Sequence, residues 1–184
     1  MKKIISALGI VAAFSACMPA GNKNMADDKA SKNEAMMSKF YDEVINKHNS
    51  AMVDSLVAPD YVEHCVDPGY TPDRSGLKKG WEDFAKAYPD MNCKINFMVA
   101  DSDCVTTQYT FTGTNTGSVM GMPATGKKVN VDGVDIVRYK NGKAVAHWGY
   151  MDEMKMMTQL GMMPGMGGAD SAKAKMPDDN SKKM

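Results

Sequence analysis

The chain has 184 residues, 22 of them basic and 22 acidic, and 43% are hydrophobic, which suffices for one buried core of ordinary size. A formal charge of zero with only two arginines, Arg74 and Arg138, argues against a nucleic-acid binder, whose footprint is a basic patch. Four cysteines without a CxxC pair argue against a disulfide framework and the usual zinc knuckles.

The first stretch reads as an export signal: Lys2 and Lys3 supply the positive start, and Ile4 to Phe14 a short apolar run. That run is about half the roughly 20 residues a membrane-spanning helix needs. It ends in Phe14-Ser15-Ala16-Cys17, small residues before a cysteine, which matches a bacterial lipobox with Phe14 where Leu is more usual. The expectation is a signal peptide over 1–16 and a lipid on Cys17 that anchors the protein to the membrane of the cell envelope. The alternatives are an ordinary secretory signal cut near the same place, or a buried helix. Met18 follows the cysteine, so the aspartate that retains enteric lipoproteins in the inner membrane is absent, and the outer membrane is the expected location. Residues 17–32, polar and charged, read as the lipidated cysteine and a flexible tether. Residues 164–184, with Gly165, Gly167 and Gly168 and no periodicity, read as a disordered tail.

The domain is expected over 33–163. Met37, Phe40, Tyr41, Val44 and Ile45 recur at helical spacing between Glu34 and His48. A second short helix covers Ser50 to Val57 and stops at Pro59, and Tyr61 to Cys65 alternates as a short strand. After a loop from Val66 to Ser75, residues Leu77, Trp81, Phe84, Ala85 and Tyr88 mark a third helix, closed by Pro89. The period then changes to 2. Strands are predicted at Cys93 to Val99, Val105 to Thr116, Lys127 to Tyr139 and Lys143 to Tyr150, with turns at Asp101-Ser102-Asp103 and Asn141-Gly142. A last helix covers about Asp152 to Leu160. Helices followed by an antiparallel meander define an α+β domain with helices on one face of a curved sheet.

Gly121 to Lys128, GMPATGKK, has the spacing of a phosphate-binding loop, but Lys128 stands where Ser or Thr must bind Mg²⁺, and no helix follows to cradle a phosphate. The same segment carries a different likeness. Gly121-Met122-Pro123-Ala124-Thr125-Gly126-Lys127 is followed in order by Gly133 with Asp135-Ile136, Gly142-Lys143, His147-Trp148, Asp152 and Gln159-Leu160-Gly161. Upstream stand Tyr61-Val62-Glu63-His64 and FAKAYPD from Phe84 to Asp90. This ordered set, from about Asn33 to Pro164, resembles the SnoaL-like polyketide cyclase (ester cyclase) family of the nuclear transport factor 2-like superfamily. The resemblance implies a cone-shaped fold in which three N-terminal helices lean on a curved antiparallel sheet around an apolar pocket. It also implies intramolecular aldol chemistry without a metal or organic cofactor, with the aspartate a few residues after His-Trp, here Asp152, as general acid/base.

Such chemistry needs a base beside a carbonyl and an acid to protonate the carbonyl that accepts the new bond. An aspartate among apolar side chains, its acidity weakened by desolvation, suits both tasks. Counting by two from Trp148 puts Trp148, Tyr150 and Asp152 on one strand face, an aromatic wall beside a carboxylate; Asp152 also stands where a helix N-cap belongs. His64 matches a histidine that lines the pocket in the family and is the second catalytic candidate. Trp81 is expected to line the pocket, and Arg138 lies either on the pocket face or in solvent. His147, on the opposite face from Trp148, reads as structural or surface, and Asp135 belongs with it. The family usually has Glu before His-Trp; here the residue is Ala146. The expected partners are a small hydrophobic ligand or substrate, the membrane through Cys17, and a second copy of the chain through the exposed sheet. Two other readings remain: a non-catalytic pocket for ligand capture or envelope protein association, and Cu(I) binding by the methionines crowded from Met151 to Met166, whose thioethers are soft ligands but also adaptable core fillers.

Overall fold

The computed structural model describes residues 23–163. The signal peptide, Cys17, the start of the tether and the tail from 164 lie outside the described residues. The chain runs α1 (Lys23–Phe40), a π-helical turn (Tyr41–Asn46), a 3₁₀ turn (Ser50–Met52), α2 (Val53–Leu56), β1 (Val57–Glu63), α3 (Arg74–Ala87), β2 (Asn92–Ala100), β3 (Cys104–Thr114), β4 (Lys128–Lys140), β5 (Lys143–Met151) and α4 (Glu153–Leu160).

The tether expected up to residue 32 is already helix from Lys23. Ala26, Lys29, Ala30 and Lys32 are good helix formers, and the buried residues Asn33, Met37 and Tyr41, four apart, give the helix its anchorage on the sheet. Asn33 Nδ2 donates to the Ser102 carbonyl at 3.2 Å and ties α1 to the β2–β3 turn. The switch to a π turn at Tyr41 brings Val44 and Ile45 into the core together. At the start of α3, the Asp73 carboxylate accepts from the Ser75 and Gly76 amides at 2.8 and 2.9 Å, satisfying donors that a helix start leaves open.

The five strands form one sheet in the order β1-β5-β4-β3-β2. β2 to β5 make the antiparallel meander expected from the period-2 run, with Asn141 and Gly142 both at positive φ in the β4–β5 turn. The first strand differs from expectation. It begins at Val57 and ends at Glu63, and it pairs with β5 in parallel, Glu63 beside His147. The register shifts between Val57 and Val62, and Pro59 sits in this irregular stretch of an edge strand, where its missing donor costs least. The helices cover one face, and the core between them and the sheet includes Tyr41, Ile45, Val57, Tyr88, Phe111 and Val131.

α4 closes the described chain. Its buried residues are Met156 and Leu160, while Met154 is exposed. The Gln159 amide pairs with both backbone groups of Asn130, accepting from its N–H at 2.7 Å and donating to its carbonyl at 3.0 Å, which pins α4 to β4. Gly121 to Lys127 is a loop that leads into β4, organised by buried Asn115, which accepts from the Thr125 amide and hydroxyl. Cys65, Cys93 and Cys104 are free thiols, and Cys93 is buried.

Candidate active site

A cavity of about 500 Å³ opens between the helices and the sheet. Its wall includes Phe40, Trp81 and Phe84 from the helices and Phe111, Val137 and Ala144 from the strands. Six methionines, Met37, Met120, Met122, Met151, Met156 and Met157, also line it. Part of the methionine excess therefore serves as flexible apolar lining.

Into this wall three neighbouring strands place a charged array. On β4 the inward positions alternate as Val129, Val131, Gly133, Asp135, Val137 and Tyr139, so Asp135 is the one acid in an otherwise apolar or aromatic row. His147 projects from β5 and Glu63 from the end of β1. His147 Nδ1 is hydrogen-bonded to Glu63 Oε2 at 2.8 Å, and its Nε2 lies 3.1 Å from Asp135 Oδ1 in an ion pair. The three side chains are only 21%, 10% and 14% exposed for His147, Glu63 and Asp135. Two phenols complete the array: Tyr41 donates to Asp135 Oδ2 at 2.5 Å, and Tyr61 donates to Glu63 Oε2 at 2.6 Å. The Cys65 amide donates to the other Glu63 oxygen at 3.1 Å.

Burial pushes His147 towards its neutral form, but the hydrogen bonds and charges of Asp135 and Glu63 outweigh it, and the imidazolium persists up to about pH 10. Burial would weaken Glu63 as an acid. The His147 cation and the donors of Tyr61 and Cys65 reverse this and hold its carboxyl below the usual glutamate range. Tyr41 is pushed above the ordinary phenol range by burial and by the Asp135 charge, so it stays a donor. The array at neutral pH is one imidazolium between two carboxylates.

Gly149 makes room for it. It pairs with Asp135 across β4 and β5, and a Cβ there would lie 2.8 Å from His147 Cε1 and 3.3 Å from Asp135 Oδ1. The absence of a side chain lets the imidazole lean along its own strand towards the neighbouring carboxylate.

The sequence candidates are distributed differently. Trp81 lines the cavity, and Tyr150 borders it with 59% of its surface exposed. Trp148, His64 and Arg138 form a separate cluster. The His64 ring stacks on Trp148 with centroids 4.2 Å apart, and the Arg138 guanidinium lies 5.8 Å from the Trp148 centroid. None of these three is among the cavity-lining residues. Asp152 is exposed and caps α4, accepting from the Lys155 amide at 3.0 Å; it does not line the cavity. The face counted from Trp148 is not the inward one: His147 and Gly149 line the cavity, together with Ala144 and Met151 of the same strand. His147, read as structural or surface, and Asp135 are brought together with Glu63, Tyr41 and Tyr61, three residues that were not singled out for the site. The available signal was the lone acid at an inward position of β4. Asp152→Ala is expected to lower stability by about 1 kcal/mol through loss of the cap, read by urea denaturation, and to leave the His147 titration unchanged.

The fold and the array define an α+β cone with an acid/base group set in its cavity. A model of the SnoaL-like polyketide cyclase family matches residues 35–160, and the chain belongs to that family. Among solved structures, TsrD from Streptomyces laurentii is similar at 23% identity and a TM-score of 0.66, over 72% of this chain and 97% of that one. IdmH from Streptomyces antibioticus is similar at 28% identity and a TM-score of 0.61, over 70% and 98%. A SnoaL-like polyketide cyclase from Agrobacterium tumefaciens is similar at 17% identity and a TM-score of 0.60, over 70% and 98%. No curated protein sequence is significantly similar to the chain.

Proposed function

We propose that the domain binds a small hydrophobic carbonyl compound in the cavity and catalyses acid/base chemistry on it without a cofactor, by aldol cyclisation, isomerisation or a related step. The observation that carries this reading is the Glu63–His147–Asp135 array set in the cavity wall. Asp135 is the base, taking a proton from the carbon beside the carbonyl. His147 is the acid: its Nε2–H stabilises or protonates the carbonyl oxygen as negative charge develops there, and an imidazolium of weakened acidity is matched to an enol. Glu63 positions the ring by holding Nδ1, as a carboxylate does for a catalytic histidine elsewhere. The methionine and aromatic lining holds the substrate folded, so proximity contributes to the rate.

The test is proton–deuterium exchange at the carbon beside the carbonyl, followed by NMR in D₂O for a panel of hydrophobic ketones and esters. Exchange catalysed by the parent and lost in Asp135→Asn supports the reading; equal exchange in both sinks Asp135 as the base. A second reading, a non-catalytic ligand-binding or envelope protein-association module, is favoured by the saturation of the array, in which every carboxylate oxygen already has a protein partner. Ligand binding without exchange in the parent would establish it. We also propose that Cys17 carries the lipid anchor, on the strength of Ser15-Ala16-Cys17. Mass spectrometry of the mature N-terminus checks this, and an N-terminus other than an acylated Cys17 would refute it.

A further inference from the structure

The charges that line the cavity are unequal. Glu63, Asp67, Asp135 and Glu153 face it, and among the described residues that line it His147 is the one cationic side chain, with no lysine or arginine. Glu63 and Asp135 are both engaged by His147. Asp67 and Glu153 are exposed lining residues, at the mouth, and neither carboxylate has a hydrogen-bond or ion-pair partner among the described residues. Partial desolvation and the charges of Glu153 and Glu63 weaken Asp67 as an acid, with His147 opposing them only in part. Two acids thus share one opening, with only His147 partly opposing them among the described residues. Lys79, which lies 5.8 Å from the centroid of the lining residue Tyr70, is itself paired with Asp83 at 2.5 Å and does not serve as their counter-charge.

The walls point the same way. Phe40, Tyr70, Trp81 and Phe84 present aromatic rings to the cavity, and aromatic faces attract cations that have left bulk water. Deeper in, Tyr109 is only 7% exposed and lines the cavity, yet its hydroxyl has no hydrogen-bond partner among the described residues. A buried phenol left unpartnered is a polar group for a ligand to satisfy. A carboxylate entering this space would meet four acids against a single cation, whereas an ammonium group would reduce that imbalance.

We propose that the cavity selects a ligand bearing a protonated amine on an apolar, aromatic-sized body, with the ammonium held at the mouth by Asp67 and Glu153, and discriminates against carboxylates. This rests on the cavity being a ligand site, and it narrows the substrate class to a carbonyl compound that is also an amine. The discrimination is of the kind achieved by uncompensated like charge rather than by shape.

Three probes of one shape test it: 2-naphthylmethylamine, 2-naphthalenemethanol and 2-naphthoate, titrated by calorimetry into the full chain at pH 7 and low salt. The amine is expected to bind about tenfold or more tightly than the alcohol, and the carboxylate more weakly than either. The double variant Asp67→Asn/Glu153→Gln is expected to narrow the amine's advantage over the alcohol at least about fivefold. Carboxylate binding as tight as amine binding overturns the inference. So does alcohol binding as tight as amine binding, although the cavity then stands as a ligand site. An amine preference that survives the double variant overturns the assignment to Asp67 and Glu153. Failure of all three probes to bind overturns the cavity reading and this inference together.

Discussion

Raising the pH above 7 lowers the unfolding free energy of the domain by roughly 1.4 kcal/mol per pH unit until about pH 8.5, and His147→Gln removes that slope. The unfolded histidine releases its proton near 6.5, whereas the folded His147 keeps it to about 10. In the interval the folded state binds one more proton than the unfolded state, so each step up in pH favours unfolding. The contribution of His147 is fully present below 6.5 and is lost as the pH rises through its folded value. The upper limit of the window is set by Cys93 and Cys104, whose thiols burial raises above the ordinary value of 9.0, so that they add a slope of the same sign there.

The same substitution has a second consequence at pH 7. It leaves Glu63 and Asp135, 10% and 14% exposed, facing the cavity wall without their common cation. Removing one partner from a buried ion pair costs about 3–5 kcal/mol because the remaining charge is uncompensated. The variant also lacks the gain in stability that His147 gives the parent as the pH falls from 7 through 6.5. In the parent, that gain from His147 stands beside the contribution of the depressed Glu63, which is present above the ordinary glutamate value of 4.5 and lost as the pH falls through the lower folded value. Urea denaturation of parent and variant across this range reads both effects, and parallel pH profiles would show that His147 does not carry the charge assigned to it.

What could be read from the sequence follows from which interactions are local. The β4–β5 turn at Asn141-Gly142 and the alternation of β2 to β5 depend on residues close in the chain, and they match the structure closely. The parallel pairing of β1 with β5 does not. Val57 and Ala144 meet across the whole domain, and Pro59 in between disguises the strand. The candidate site depends on a finer distinction. Alternation divides β5 into two faces, but it does not say which is inward when both carry bulky apolar neighbours. Val134 and Ile136 lie opposite Tyr150 and Trp148, while Val137 lies opposite His147. Size alone favours Trp148 as the inward residue, yet it stacks on His64 away from the cavity. The charge of His147 is likewise invisible locally, because Glu63 is 84 residues away in sequence.

Gly149→Ala tests how tightly the site depends on that inward face. The new methyl would meet the edge of the imidazole at 2.8 Å from Cε1 and 3.1 Å from Nε2, closer than carbon side chains tolerate. Backbone flanks it in the middle of β5, so the ring and not the strand is the part free to move. Turning the ring keeps Nδ1 near Glu63 only if Nε2 swings away from Asp135, and the ion pair at 3.1 Å is the contact that gives way. His147 then loses one of its two counter-charges while remaining buried, so its titration moves down from about 10 towards the ordinary histidine value. Overpacking and the lost ion pair together are expected to cost about 1–3 kcal/mol. The catalytic effect should be larger than this: if acid and base must act on one substrate, separating them costs about 100-fold or more in the exchange rate. NMR titration of the His147 Cε1 proton alongside the exchange assay separates the causes. A lowered titration midpoint with slow exchange ties catalysis to the Asp135–His147 contact, whereas an unchanged midpoint would show that the imidazole does not need the space that Gly149 leaves.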